Sequence, residues 1–313
     1  MKSRKPKSIF IDILIALRPI QWLKNLVVFA AILFSQELFI ADKFIPVFYT
    51  FIIFSTSSSA AYLVNDLVDR PKDRLHFSKK LRPIAAGRLP TKLVLFLAAL
   101  LVVFSLISSY FVSNYLFLII LVYLTIQVLY SLLLKNIIIL DILIIAFAFM
   151  LRIFAGSVVV VTPLSAWLIL TTMMIALFLG VGKRRSELTL LGGVQAPAHR
   201  KALFSYPIIL LDGLTFMMAT AALITYSLFT FNAPELTQKE FITSLLPHTL
   251  SSPKLLMVTI PVVVYGVFRY LYLIFEKSEG ESPERVFITD RPLLASVLVW
   301  VGLVLFLLYF FAF

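Results

Sequence analysis

The sequence predicts an all-α, polytopic membrane protein with about nine transmembrane helices. Of its 313 residues, 61% are hydrophobic and only 14% are charged, whereas soluble domains are about 45–50% apolar and about 25% charged. The apolar residues also form long stretches, each close to the length that a helix needs to cross a bilayer. Together these observations exclude an ordinary soluble domain.

Each predicted span is a run of roughly 20 predominantly apolar residues bounded by polar ones. The predicted spans are 20–36, 44–66, 91–111, 115–134, 138–159, 163–181, 206–231, 253–275 and 292–313. Residues 7–18 predict an amphipathic interfacial helix that leads into the first span. We therefore expect one membrane domain over 1–313, with a cytoplasmic N-terminus and interfacial helix at 1–18 and a helix bundle over 20–313.

The distribution of Lys and Arg predicts the orientation of these spans. With the N-terminus in the cytoplasm, only Lys43, Lys239 and Lys254 lie outside, and the other 25 of 28 cations lie at or near the cytoplasmic side. Twelve of the 16 acids lie there too, which leaves a net charge of +13 inside and −1 outside. We expect a multi-pass protein of the inner (plasma) membrane whose working surface faces the cytoplasm. Four N-terminal cations are expected only to fix this orientation: Lys2, Arg4, Lys5 and Lys7.

The absence of cysteine and the scattered histidines limit the kinds of catalytic and metal site that the chain can form. The chain has no cysteine, which excludes disulfides, thiolate metal sites and cysteine nucleophiles. Its three histidines, His76, His199 and His248, are too far apart in sequence to predict a histidine metal cluster. No nucleic-acid partner is expected, and the basic N-terminus lacks a small-residue cleavage site, so it is expected to be retained.

An acidic motif ends the second span. Asp66, Asp69 and Asp73 are spaced i, i+3 and i+7, so on a helix they share one face with Asn65 and Tyr62 beside them. Carboxylates and an amide oxygen suit a hard cation such as Mg²⁺, which takes one or two protein carboxylates and leaves its other positions to water and phosphate. The motif predicts a magnesium site, with Asn65 and Asp69 as metal ligands and Asp66, Asp69 and Asp73 as catalytic carboxylates.

Two features complicate this interpretation. Pro71 cannot donate a backbone hydrogen bond and is expected to end or kink the helix, which leaves the direction of Asp73 open. The alternative is a polar helix end whose acids are neutralised by Arg70, Lys72 and Arg74. The basic loop that follows predicts binding of a metal-bound polyphosphate through Lys79 and Arg82, while an ordinary positive-inside loop remains the alternative.

The residues from Asn65 to Gly87 resemble the UbiA superfamily of intramembrane prenyltransferases, which carry an acidic motif at the end of the second helix followed by an RP-x-x-x-G loop. The wider pattern is similar to the branch that transfers phosphoribosyl groups to polyprenyl phosphates. It comprises RPIQWLKN from Arg18, YLVNDLVDRPKDRLHFSKKLRPIAAG from Tyr62, YSLLLK from Tyr130 with Asp141, LR at 151–152 with Gly156, and GKRRSEL from Gly182. The resemblance covers about 15–295 and implies a UbiA-like bundle with cytoplasmic active-site loops.

That resemblance implies a function. The chain would transfer 5-phosphoribosyl from 5-phosphoribosyl-1-diphosphate (PRPP) to a polyprenyl phosphate in the membrane bilayer, with Mg²⁺, and would act in cell-wall biogenesis. The residues expected to contact substrate are Lys24, Tyr62, Lys79, Arg82, Tyr130, Lys135, Asp141, Arg152, Lys183 and Arg184. The sequence leaves the oligomeric state open, a homo-oligomer included.

Cations inside apolar spans need an anionic partner because each costs at least about 2.5–3.5 kcal/mol to insert. We expect Arg152 to face substrate, with an ion pair to Asp212 as the alternative. For Lys24 and Lys135 the alternative is a lysine that snorkels to the membrane surface. For Asp212 and Arg269 a structural role is favoured.

The predicted loop after span six separates two enzymatic functions. Prenyltransferases that join a prenyl diphosphate to an aromatic or other acceptor carry a second acidic motif there, whereas this chain has Lys183, Arg184 and Arg185 with Glu187 as the single acid. A directly bound phosphate is therefore favoured over a second magnesium site. A transporter, the third alternative, would carry charges in the middle of several spans. The charged loop 276–291 is expected to add further charged residues beside the site, and no role is assigned to them.

Overall fold

The computed structural model describes residues 8–75, 79–191, 206–233, 254–277, 280 and 282–310. Several predictions fall outside this range: the four orientation cations, all three histidines, Lys239, and parts of the predicted loops at 182–205 and 276–291.

Every regular element of the described residues is helical, and none of them lies in a β-strand. The α-helices are α1 (Ile9–Leu17), α2 (Ala30–Phe34), α3 (Ala41–Val68), α4 (Arg70–Leu75), α5 (Thr91–Val112), α6 (Asn114–Leu132), α7 (Leu140–Val160), α8 (Ala166–Leu191), α9 (Ile208–Phe231), α10 (Ile260–Phe275), α11 (Pro283–Thr289) and α12 (Arg291–Leu305). Short 3-10 helices cover Pro19–Phe29, Lys79–Leu81, Leu134–Asn136 and Leu255–Thr259, and a π-helical turn covers Phe306–Phe310.

Within the described ranges, nine helical segments are long and apolar enough to cross a membrane. They are Ile9–Phe34, Ala41–Val68, Thr91–Val112, Asn114–Leu132, Leu140–Val160, Ala166–Leu190, Ile208–Phe231, Leu255–Phe275 and Arg291–Phe310. Each overlaps one predicted span, so the predicted all-α membrane fold is confirmed. The described residues of the connections 69–90, 133–139 and 276–290 meet at one end of the bundle, here called the charged end: Lys135 lies 2.6 Å from Asp69, and Asp69 and Glu284 line one cavity.

The first span is broken where the sequence predicted the end of an interfacial helix. Arg18 has φ 55° and ψ 59°, a left-handed conformation, and separates α1 from the 3-10 helix Pro19–Phe29. The residue before a proline disfavours the α conformation, because its backbone clashes with the proline ring. The break turns Arg18 towards α3, where its guanidinium lies 2.6 Å from Asp66 Oδ1. That α1 lies in the membrane interface remains a prediction.

The expected loop after span six was wrong in its position. α8 continues to Leu191, so Lys183, Arg184 and Glu187 lie on the last turns of a helix and not in a loop. Lys, Arg, Glu and Leu are good helix formers, and Arg184 pairs with Glu187 one turn later. The polar residues after 181 were interpreted as the end of the helix. They are instead the last, charged turns of a longer helix.

Close packing of α7 on the first span depends on Gly156. A Cβ at this position would lie 1.9 Å from the carbonyl oxygen of Val28, so only glycine allows the observed approach. One turn away on each segment, Arg152 Nε donates to Asn25 Oδ1 at 2.7 Å. The glycine therefore places an arginine of α7 against an asparagine of the first span inside the bundle.

Candidate active site

A cavity of about 770 Å³ runs through most of the bundle. Its lining includes Asp73, in the connection 69–90 at the charged end, and Phe34, at the opposite end of the first span. Ten predicted site residues line it: Lys24, Tyr62, Asn65, Asp69, Asp73, Lys79, Arg82, Tyr130, Arg152 and Lys183. Four others, Asp66, Lys135, Asp141 and Arg184, lie behind its wall.

The acidic motif keeps one direction across the helix break. α3 ends at Val68 and α4 begins at Arg70, as Pro71 predicted. The backbone hydrogen bonds from Asp69 N to Asn65 O and from Asp73 N to Asp69 O, each 2.8 Å, preserve the helical path. Asn65, Asp69 and Asp73 consequently line the same cavity. The direction of Asp73, left open by the sequence, is towards Asn65 and Asp69.

Three cations neutralise the three carboxylates of the motif. Arg82 Nη1 lies 3.1 Å from Asp66 and 2.7 Å from Asp73. Lys135, buried at the start of the connection to α7, donates to Asp69 Oδ1 at 2.6 Å. Burial raises the pKa of Asp73, and Arg82 opposes this rise. We call these residues, with Arg18 and Asn65, the open cluster, because all of them except Asp66 and Lys135 line the cavity.

The open cluster fits a hard cation. Asn65 Oδ1 is buried and accepts no hydrogen bond from any described residue, and a buried acceptor without a partner is costly. Asp69 and Asp73 line the cavity next to it. No group of three or more acidic, histidine or cysteine side chains among the described residues forms a closed metal cage. The donor set is one amide and one or two carboxylates, which leaves the other positions of an octahedral ion to substrate and water.

Arg152 is a buried cation on the cavity wall. Its described partners are Asn25 Oδ1, the Ala148 carbonyl and Tyr123 Oη, which lies 3.2 Å away. The alternative partner Asp212 instead lies 3.1 Å from Arg185. None of the described partners of Arg152 carries a negative charge. An anionic substrate group would supply that charge.

A second group of charges lines the cavity beside Lys24. Glu284, at the start of α11, lies 3.1 Å from Lys24 Nζ, and Gln21 donates to its other oxygen. Tyr62 Oη donates to Gln21 Oε1 at 3.2 Å. Burial alone would raise the pKa of Glu284, but Lys24 and Lys183 lower it to about 2. The last charged connection is thus tied to the first span and to α3.

A third group of charges lies behind the wall. Arg184 is 1% exposed and its Nε lies 2.6 Å from Asp141 Oδ2. It also pairs with Glu187 and donates to Tyr130 Oη at 2.9 Å, while Tyr206 Oη donates to Asp141 at 2.8 Å. We call these five residues the closed cluster. Asp141 and Arg184 were predicted to contact substrate, but they pair with each other behind the wall. Arg184 also contacts Tyr130 and Glu187, which do line the cavity.

Sequence reasoning missed several cavity residues. Arg18, Gln21, Tyr123, Glu187 and Glu284 line the cavity without having been predicted as site residues. Gln21 precedes Lys24 by three residues, a spacing that signals a shared helical face. Nothing local marks Glu284, because it reaches the cavity only through the folding of the last connection against the first span.

Comparisons with known proteins show the family of this chain. The sequence model described as "UbiA prenyltransferase family" matches residues 25–289. The decaprenyl-phosphate phosphoribosyltransferase of Mycolicibacterium smegmatis is 34% identical over 309 residues, which cover 97% of this chain and 95% of that protein. A protein of the same name from Corynebacterium glutamicum is 31% identical over 312 residues, covering 98% of this chain and 90% of the relative.

Solved structures share the fold. A UbiA homologue from Archaeoglobus fulgidus, bound to GPP and Mg²⁺, has a TM-score of 0.66 at 18% identity, covering 94% of this chain and 96% of that one. The apo structure of a UbiA homologue from Aeropyrum pernix has a TM-score of 0.55 at 14% identity, with coverage of 94% and 98%. At these identities the likeness shows the arrangement of helices alone.

Proposed function

The chain belongs to the UbiA prenyltransferase family and is a multi-pass membrane transferase, and we propose that it transfers 5-phosphoribosyl from PRPP to a polyprenyl phosphate, releasing pyrophosphate. The observation that carries this proposal is the charge of the cavity wall. Seven of its described lining residues are cationic: Arg18, Lys24, Lys72, Lys79, Arg82, Arg152 and Lys183. Four are acidic: Asp69, Asp73, Glu187 and Glu284.

This balance favours a substrate with several phosphates. A prenyl diphosphate held by two magnesium sites would need acids on α8, but Lys183 lines the cavity there and Glu187 pairs with Arg184. PRPP carries a diphosphate and a separate phosphate, and the acceptor lipid carries another. The full-length similarity to proteins named decaprenyl-phosphate phosphoribosyltransferase supports the same choice.

The open cluster would bind the diphosphate of PRPP. Asn65 and Asp69, with Asp73 beside them, would hold Mg²⁺, which when bound neutralises charge on the leaving pyrophosphate. Lys79 and Arg82 would contact its remaining oxygens. Lys135 and Arg18 would keep the carboxylates in place through their ion pairs with Asp69 and Asp66. Preorganised charges of this kind act without reorganising during the reaction.

The transfer exchanges one bond at C1 of the ribose. The bond from C1 to the diphosphate oxygen breaks and its electron pair leaves with pyrophosphate, while an oxygen of the lipid phosphate forms the new bond from the opposite face. No general base is required, because the phosphate monoester is already anionic. Lys24, Lys183 and Arg152 would bind the 5-phosphate and the lipid phosphate.

The apolar part of the cavity suits the lipid tail. Its lining includes Leu33, Phe34, Phe229, Trp300 and Val301, which lie towards the opposite end from the acidic motif. A polyprenyl chain placed there would point its phosphate towards Arg152. We propose that the charged end faces the cytoplasm, because the excess of Lys and Arg predicts that orientation.

A labelling experiment tests the proposed function. Membranes containing the protein are incubated with Mg²⁺, a polyprenyl phosphate and PRPP labelled in the ribose, and the lipid phase is then extracted. We expect Mg²⁺-dependent appearance of label in the lipid phase. Lack of a labelled lipid, together with attachment of a prenyl diphosphate to an aromatic acceptor, would instead establish the prenyltransferase alternative.

A further inference from the structure

Glu284 is a carboxylate in a cavity that is otherwise suited to anions. It is 7% exposed, lines the cavity, and is flanked by Lys24 and Lys183. Its Oε1 accepts a hydrogen bond from Gln21, and its Oε2 is buried and lies 3.1 Å from Lys24 Nζ. A carboxylate cannot itself bind a phosphate, because both groups are anionic, so phosphate binding by Lys24 and Lys183 does not explain the presence of Glu284.

The chemistry of an ionised carboxylate limits what Glu284 can bind. It accepts hydrogen bonds and donates none, and the cations beside it keep it ionised at neutral pH. The phosphates of PRPP and of the lipid are themselves acceptors, and a polyprenyl tail has no polar hydrogen. Only the ribose hydroxyl groups of the donor offer hydrogens to this carboxylate.

Glu284 is also held in a fixed direction. Gln21 donates to Oε1, and Gln21 in turn receives hydrogen bonds from Tyr62 at 3.2 Å and from Lys24. Tyr62 stands one helical turn before Asp66 on α3. The orientation of Glu284 is therefore linked to the helix that carries the acidic motif, where the diphosphate of the same donor would bind.

On the basis of the proposed function, we propose that Glu284 is a specificity-determining residue that accepts a hydrogen bond from the 2- or 3-hydroxyl of the ribose of PRPP. Such a contact distinguishes a pentose donor from a prenyl diphosphate, which has no hydroxyl group. A site built around a substrate hydroxyl rejects analogues that lack it, because its buried acceptor is then left unpaired.

The test compares donors that differ by one hydroxyl. Transfer rates to polyprenyl phosphate are measured with PRPP and with its 2-deoxy and 3-deoxy analogues, using the wild-type protein, Glu284→Ala and the control Glu276→Gln. Glu276 is an exposed acid in the same connection. A hydrogen bond to a charged group corresponds to a preference of roughly 10- to 100-fold. We expect wild type and the control to prefer PRPP by this factor over one analogue, and Glu284→Ala to lose the preference.

Other outcomes separate this inference from the function on which it rests. If Glu284→Ala slows all three donors equally and keeps the preference, Glu284 only ties α11 to the first span and the inference fails alone. Wild-type protein that uses both analogues as well as PRPP also contradicts it, without any variant having to fold. Glu284→Leu, which keeps most of the volume of the side chain but has no acceptor, replaces the alanine variant if that one is unstable. Absence of any transfer from PRPP would overturn the proposed function itself.

Discussion

The open cluster and the closed cluster are both built from buried ion pairs near the charged end, yet they differ in access. Asn65, Asp69, Asp73 and Arg82 of the open cluster line the cavity, and Asn65 Oδ1 lacks a hydrogen-bond donor among the described residues. In the closed cluster, Arg184 is 1% exposed and contacts two carboxylates and a tyrosine.

The difference shows that a buried charged group is evidence for function only when some of its polar atoms remain available to a ligand. Breaking a buried ion pair is costly because a charge is left without a partner, so substitutions in either cluster should lower stability. Only the open cluster offers the cavity both cations and an amide oxygen that accepts no hydrogen bond from the described residues. Variants of the two clusters should therefore fail in different ways.

The largest expected effect follows from Asp69→Asn. The change removes a carboxylate from the proposed metal site and should lower the transfer rate by roughly 10²–10³-fold or more, the loss typical of a preorganised electrostatic group. Initial rates per folded molecule are measured on purified protein in detergent, because the change also weakens the buried ion pair with Lys135. Asp212→Asn is the control, because its carboxylate is 33% exposed and pairs with Arg185 away from the cavity. Unchanged activity in Asp69→Asn would remove this residue from the site.

Asp141→Asn should act on stability instead. It leaves Arg184 buried with one fewer charged partner, and breaking such a pair typically costs about 3–5 kcal/mol. We expect a lower apparent unfolding temperature in detergent, with transfer per folded molecule largely retained at low temperature. If the variant is as stable as wild type but inactive, Asp141 contacts substrate, as its sequence motif implied.

Lys79→Ala tests the cationic edge of the open cluster. Loss of one cation that is proposed to contact the diphosphate should raise the KM for PRPP by about 10-fold, at the lower limit for a hydrogen bond to a charged group. Lys80→Ala is a matched control, since Lys80 is the next residue in the chain but its side chain is exposed and does not line the cavity. Equal effects of the two variants would indicate a general electrostatic contribution of the loop.

The smallest expected effect is a pH dependence. The pKa of Glu284 is lowered from 4.5 to about 2, so the folded protein binds a proton there less readily than the unfolded chain does. Its stabilising contribution is fully present above pH 4.5 and is lost as pH falls towards 2. The difference in apparent unfolding temperature between wild type and Glu284→Gln should be constant from pH 8 to 5 and shrink below that. A constant difference down to pH 3 would contradict this expectation.

Part of the site was predictable because its residues are close in sequence. Asn65, Asp69 and Asp73 repeat at helical spacing, and that periodicity alone places them on one face. Glu284 and Asn65 are more than 200 residues apart, and their common cavity depends on packing that no local pattern encodes. The helical state of Lys183 was missed for a related reason: polarity marks the end of an apolar stretch, but helices continue past it wherever ion pairs support them.

The sequence by itself determined the membrane class, the acidic motif and the approximate positions of the nine candidate spans found among the described residues, because hydrophobic length and helical periodicity are local properties of the chain. Only the tertiary structure decided which charges meet. It paired Asp141 with Arg184, Asp69 with Lys135 and Glu284 with Lys24. The physical reason is that an ion pair depends on distances of a few ångströms between segments far apart in sequence, and those distances are set by how helices pack, as Gly156 does for Arg152.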